Sequence, residues 1–218
     1  MYNSPFSLEL SKPILADFLK TIKPTHHYCL FYDSSESKHK VVYSYLADGI
    51  NNSKGLIYIC YDETKEEIQK GLESVGIDVE PNLRSRNIKL VNSEDFYMHN
   101  NRVEVLEILN KLKIMHEEFE ARGLNARIVG EVNGFFDSGY VRELLRYEYS
   151  LHRFLDMPMD AICAYNINTI VRTGYSDIIM PIVRAHGKAI FSAQGGIMVL
   201  EPDNIEDSDI EELLNIRI

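Results

Sequence analysis

The 218 residues carry a formal net charge of -10, with 45% hydrophobic and 26% charged side chains. That length suits one well-filled domain, and an acidic chain lacks the Lys and Arg surplus that backbone phosphates require, so no direct nucleic-acid contact is expected. No stretch reaches the roughly 18–20 apolar residues of a membrane span. Residues 1–20 lack the basic start and unbroken apolar core of a secretory signal, so no membrane contact and a cytoplasmic location are expected.

Residues 14–22 space their apolar positions as a helix, with Ser11 as its cap and Pro13 in its first turn. Residues 1–24 are therefore expected to be a lead-in segment. The regular alternation follows. Strands are expected at 28–32, 56–61, 88–91, 126–132 and 161–165, and helices at 37–50, 63–75, 102–122, 140–155 and 175–185. Residues 93–101 read as a polar loop. Residues 188–193 and 197–200, joined across Gly195-Gly196, read as a closing hairpin. Residues 203–218 form an acidic tail, in which Ile210, Leu213 and Leu214 hint at a short helix. Five strand–helix units in a row point to one doubly wound α/β domain, spanning 25–202, with a mostly parallel sheet and helices on both faces.

Cys29, Cys60 and Cys163 each fall in an expected buried strand. Three distant cysteines make no disulfide framework and no CxxC metal motif, so they read as small core residues.

In a parallel sheet, ligands sit at the carboxyl ends of the strands. The first strand–helix turn is where nucleotide phosphates would lie. Here it reads Asp33-Ser34-Ser35-Glu36-Ser37-Lys38-His39-Lys40, without glycine and with two acids facing the place of the anion. The one Gly-Lys pair, Gly187-Lys188, precedes a strand and fails the G-x-x-x-x-G-K-[ST] pattern. None of the seven histidines forms H-x-x-x-H or H-E-x-x-H, and there is no G-x-S-x-G elbow. No cofactor, metal or catalytic residue is therefore expected, although the fold could bring a histidine before the first strand together with Glu131 and His186. What remains is a strand-end set: Tyr32 and Asp33, Tyr61 and Asp62, Glu131 and Asn133, Tyr165 and Asn166, with His186 before the hairpin. Aromatics among a few acids and amides suit a small, largely apolar or cationic ligand. These groups are expected to face one crevice.

One ordered series of segments resembles a known family: His27-Tyr28-Cys29-Leu30-Phe31-Tyr32-Asp33-Ser34, Asp48-Gly49-Ile50, Gly55-Leu56-Ile57-Tyr58-Ile59, Gly130-Glu131-Val132, Tyr147-Glu148, Ala161-Ile162-Cys163-Ala164-Tyr165-Asn166, and His186 after a helix. It is similar to the methanogen/methylotroph sensory (MEDS) domain over roughly 25–200. The resemblance implies a RecA/KaiC-like core that has lost its phosphate loop, a sensor of small methylated or hydrocarbon-derived compounds, and signalling partners in archaea and bacteria. It carries over His27, Tyr32, Glu131, Glu148, Tyr165 and His186 as ligand-binding positions. This chain has Asn166 where the family tends to have Asp, and Gly187 where it often has Pro.

Three readings stand at this point. The first is a non-enzymatic small-molecule sensor that acts through a signalling partner or self-association. The second is a RecA/KaiC-like ATPase, in which Glu131 orients water and Lys38 or Lys40 meets phosphate. The third is an oligomeric scaffold subunit that docks through residues 14–22 or the tail.

Overall fold

Strands β1 (His27–Tyr32), β2 (Gly55–Cys60) and β4 (Ala126–Glu131) are buried at every position. Such runs require cover on both faces, which is the condition of a parallel sheet. The computed structural model describes residues 27–99, 102–154 and 159–200. With β3 (Ile88–Asn92), β5 (Met159–Asn166), β6 (Lys188–Ala193) and β7 (Gly196–Leu200), these strands form one seven-stranded sheet in the order β3-β2-β4-β5-β1-β6-β7. All pairings are parallel except β6 with β7, the expected hairpin. The expected fold class holds. The lead-in helix and the acidic tail lie outside the described residues.

The two-residue period of the strands divides the core. Cys29, Phe31, Ile57, Ile59, Ile128 and Cys163 pack with α5 (Val105–Glu120) and α7 (Val141–Phe154). Tyr28, Leu30, Tyr58, Val129 and Ile162 pack with α1 (Ser35–Asn51) and α2 (Lys65–Ser74). Gly55 opens β2 without a side chain because a methyl there would overlap the Phe119 ring. Two helix starts set the geometry of the strand ends. Ser34, in extended backbone, accepts the Ser37 N–H at 3.3 Å and starts α1. Thr64 and Glu67 form a reciprocal capping box at α2.

The differences from expectation are local. The loop expected at 93–101 opens with a helix, α4 (Ser93–Tyr97), because the Asn92 side chain accepts from the Glu94 and Asp95 N–H groups. The helix expected at 102–122 is shorter, since a bridge between His99 and Arg102 holds its start in a turn. The helix expected at 175–185 divides into a 3-10 turn (Ser176–Ile178) and α9 (Ile179–Arg184). Pro181 lacks the N–H that would continue one ladder through the segment. Helices α3 (Val79–Arg84), α6 (Asn133–Asp137) and α8 (Ile167–Arg172) are too short to show a 3.6-residue period in sequence. No helix among the described residues is long and apolar enough to cross a membrane.

A buried ion cluster ties the amino ends of the strands to the end of α1. Arg127, 2% exposed, donates to the Tyr45 carbonyl at 2.6 Å and to Asp48 at 2.8 Å, and its guanidinium lies over the Tyr45 ring. Asp160 is 3.5 Å from the same guanidinium and pairs with Lys54. Removing one partner of such a cluster leaves an uncompensated buried charge. Arg127→Met should cost about 3–5 kcal/mol, read from urea unfolding midpoints. A loss below about 1 kcal/mol, the scale of an exposed pair, would contradict this account of the cluster.

Candidate functional site

Glu131 ends β4 on the α1 side of the sheet and is fully buried. Its two oxygens are saturated. Oε1 accepts from Lys38 Nζ at 2.5 Å and from the Tyr58 hydroxyl at 2.7 Å. Oε2 accepts from the backbone N–H groups of Tyr61 and Asp62, at 2.6 and 2.7 Å, in the turn after β2. Lys38, in the first turns of α1, is equally buried and lies 2.5 Å from Glu63 as well. His39 contacts the same Glu63 carboxylate at 2.8 Å. Burial works against the Lys38 charge, but Glu131 and Glu63 outweigh it and hold the ammonium above the usual lysine range.

A second network closes the same strand ends. Asn133 donates to the Tyr32 hydroxyl at 2.7 Å and to Asp62 at 2.9 Å, and the Tyr32 hydroxyl in turn donates to Asp62. Asn133 Oδ1 accepts the Asn166 N–H at 2.8 Å. The Asn166 side chain caps α8, and Asn168 returns a hydrogen bond to the Asp33 carbonyl. Burial first, then the charges of Glu131 and Asp62, push the Tyr32 phenol far above its ordinary range. Tyr32, Asp33, Glu131, Asn133 and Asn166 are therefore brought together as expected, but their polar atoms are largely turned toward one another.

Beside this network lies a groove of about 400 Å³ at the carboxyl ends of β1 and β6 and along β7. Phe31, Tyr32, Ile167, Phe191 and Met198 line it, and Asp33 stands at its rim. Hydrogen bonds from the Ser37 and Ser34 hydroxyls hold the Asp33 carboxyl below its ordinary value, so the rim is anionic. The sequence marked Tyr32 and Asp33 here. It missed the β6 and β7 contribution, because Phe191 and Met198 read only as hairpin residues.

His27, Glu148, Tyr165 and His186 do not join Glu131. They lie on the opposite face of the sheet with Cys163, among the side chains that pack against α5 and α7. The expectation of a single crevice is corrected by strand geometry. His27 opens β1 and Tyr32 closes it, five residues apart, so their side chains leave opposite faces. Within this second group, His27 Nε2 is 2.9 Å from Glu148 Oε2, His186 Nε2 is 3.3 Å from the same oxygen, and the Tyr165 hydroxyl donates to Glu148 Oε1. Burial opposes ionisation of Glu148, but the His186 and His27 imidazoles outweigh it and hold the carboxyl well below the usual carboxylate range.

The Lys38–Glu63–His39 contacts give a pH signature. Burial would raise the Glu63 pKa, but hydrogen bonds from His39 and Lys38 bring it below its ordinary value. A depressed folded pKa stabilises above the unfolded value, about 4.3 for Glu, and that contribution is lost as pH falls through the folded value. Glu63→Gln should therefore unfold at lower urea than the parent chain at pH 7, and the gap should narrow below about pH 4.3. A gap independent of pH would contradict the assignment.

The fold is shared with solved structures of low sequence identity. The KaiC-like protein PH0186 of Pyrococcus horikoshii matches at 13% identity and TM-score 0.57, over 84% of this chain and 81% of that one. Protein PH0321 of the same archaeon, solved with an unknown peptide, matches at 13% identity and TM-score 0.63, over 88% and 90%. PH0250 of P. horikoshii matches at 11% identity and TM-score 0.58, over 89% and 94%. No curated protein matches the chain in sequence. The family model "MEDS: MEthanogen/methylotroph, DcmR Sensory domain" matches residues 26–186. The chain belongs to the MEDS family, and its general role is sensory.

Proposed function

We propose that this domain is a non-enzymatic sensor that holds a small, mostly apolar molecule in the groove between β1, β6 and β7. The observation that carries the reading is the groove itself, about 400 Å³, aromatic and aliphatic along its walls with one carboxylate at the rim. That is the size and character of a small-molecule site. The anionic rim favours a neutral or cationic ligand over an anion. Methylated amines and short alcohols fit this description. Occupancy would reposition the β6–β7 hairpin and the β1–α1 turn, and the signal would pass to a partner protein or a second copy.

The ATPase reading draws less support. The turn after β1 has no glycine, Lys38 is already paired with two carboxylates, and Lys40 lies 3.1 Å from Glu36. A likeness to a KaiC-like protein at 13% identity speaks for the fold alone.

The test is a thermal-shift panel of methylated amines and short-chain alcohols on the intact chain and on Met198→Trp, which fills the groove. A true ligand at about 100 times its Kd stabilises by about 2.7 kcal/mol, or roughly 5–10 °C for a chain of this size. The shift should vanish in Met198→Trp. No shift across the panel, or equal shifts in both proteins, would overturn the reading.

A further inference from the structure

The buried group on the α7 face has the geometry of a metal centre. His27, Glu148, Cys163 and His186 each offer one donor atom, and the four donors lie within 4.8 Å of one another. All four residues are buried, Glu148 and His186 completely. They arrive from four places in the chain: the first residue of β1, the middle of α7, the middle of β5, and the turn between α9 and β6.

The separations have the right scale. His27 Nε2 stands 2.9 Å from Glu148 Oε2 and 3.2 Å from Cys163 Sγ, and His186 Nε2 stands 3.3 Å from Glu148 Oε2. Ligands bonded at about 2.0–2.3 Å around a tetrahedral zinc ion lie roughly 3.3–3.7 Å from one another. Three of the pairs are at or just inside this spacing, and all four donors lie within 4.8 Å of one another, so a shift on the order of 1 Å would gather them around one ion.

The surrounding contacts aim the ligands. The Nδ1 atom of His186 is 2.7 Å from the Ile182 carbonyl, so Nδ1 carries the proton there and Nε2 is left to face Glu148. The Tyr165 hydroxyl donates to Glu148 Oε1, leaving Oε2 as the inward oxygen. Imidazole N–H to backbone carbonyl and carboxylate to hydroxyl are the supports that orient metal ligands. His186 Nε2 and Glu148 Oε2 are both buried and 3.3 Å apart, and His27 Nε2 is 2.9 Å from the same oxygen. Protons on the imidazoles satisfy these contacts in the absence of a cation, and a metal ion would take their place among the same donors.

We propose that His27, Glu148, Cys163 and His186 bind one divalent transition metal ion in a closed four-coordinate site, zinc being the ion that the donor set suits. Two imidazoles, a thiolate and a carboxylate form a borderline set that favours zinc over magnesium or calcium. With four protein ligands and no exposed face, the site is structural. It clamps α7 and the α9–β6 turn onto β1 and β5. It lies across the sheet from the Glu131 network, and none of its four ligands lines the apolar groove, so it does not rest on the sensor reading.

The experiment uses the full chain. Elemental analysis after purification without chelator should show zinc equimolar with protein. After chelator stripping, cobalt(II) should give ligand-field bands of tetrahedral intensity with a thiolate charge-transfer band. That charge-transfer band should be lost in Cys163→Ser. Where Cys163→Ser does not fold, the stripped parent chain serves: zinc should raise its melting temperature and magnesium should not. Tyr165→Phe, which leaves the four ligands in place, should bind zinc about 10–100-fold more weakly. A folded stripped chain with no cobalt bands and no response to zinc would overturn the proposal, and so would unchanged zinc affinity in Tyr165→Phe.

Discussion

The strand ends of this domain depend on one carboxylate, Glu131. A buried carboxylate is tolerable only if its acceptor positions are filled and its charge is matched. Four donors do this for Glu131: an ammonium from α1, a phenol from β2, and two consecutive backbone N–H groups from the turn after β2. The single side chain therefore fixes where α1 begins relative to β4 and how the chain leaves β2. Lys38 extends the constraint to Glu63, and Glu63 to His39.

That arrangement has a consequence for chemistry. In a doubly wound sheet, the turn after the first strand and the first lysine of its helix form a natural phosphate site. Here the lysine is fully buried between two carboxylates, and the turn presents Asp33. A phosphate would have to displace Glu131 or Glu63 from Lys38, or share the ammonium with like charges. An accessible concavity lies instead toward β6 and β7, where the walls are apolar. The polar groups at these strand ends thus satisfy one another. The opposite face carries a second, separate polar group around Glu148, with histidines and a cysteine in place of lysine.

Much of this was legible in the sequence, for definite reasons. The strands are short runs of buried β-branched and aromatic residues, and their boundaries follow the turns at Asp33, Tyr61 and Asn166. Glu131 and Asn133 stood out because ligands of a parallel sheet sit at the carboxyl ends of its strands. The single shared crevice did not hold. The two-residue alternation already separates His27 from Tyr32, but strand parity alone does not say which face Glu148 or His186 will approach. Cys163 was read as a core residue because it sits among Ala161, Ile162 and Ala164, and its neighbours His27 and His186 come from distant segments. The capped turns at Asn92 and Asn166 form helices too short for periodicity to reveal.

The account rests most heavily on the claim that the Lys38–Glu131–Glu63 contacts have closed the phosphate site. Calorimetric titration of Mg-ATP into the intact chain tests it most directly. The account predicts no saturable heat. Saturable micromolar binding would contradict it.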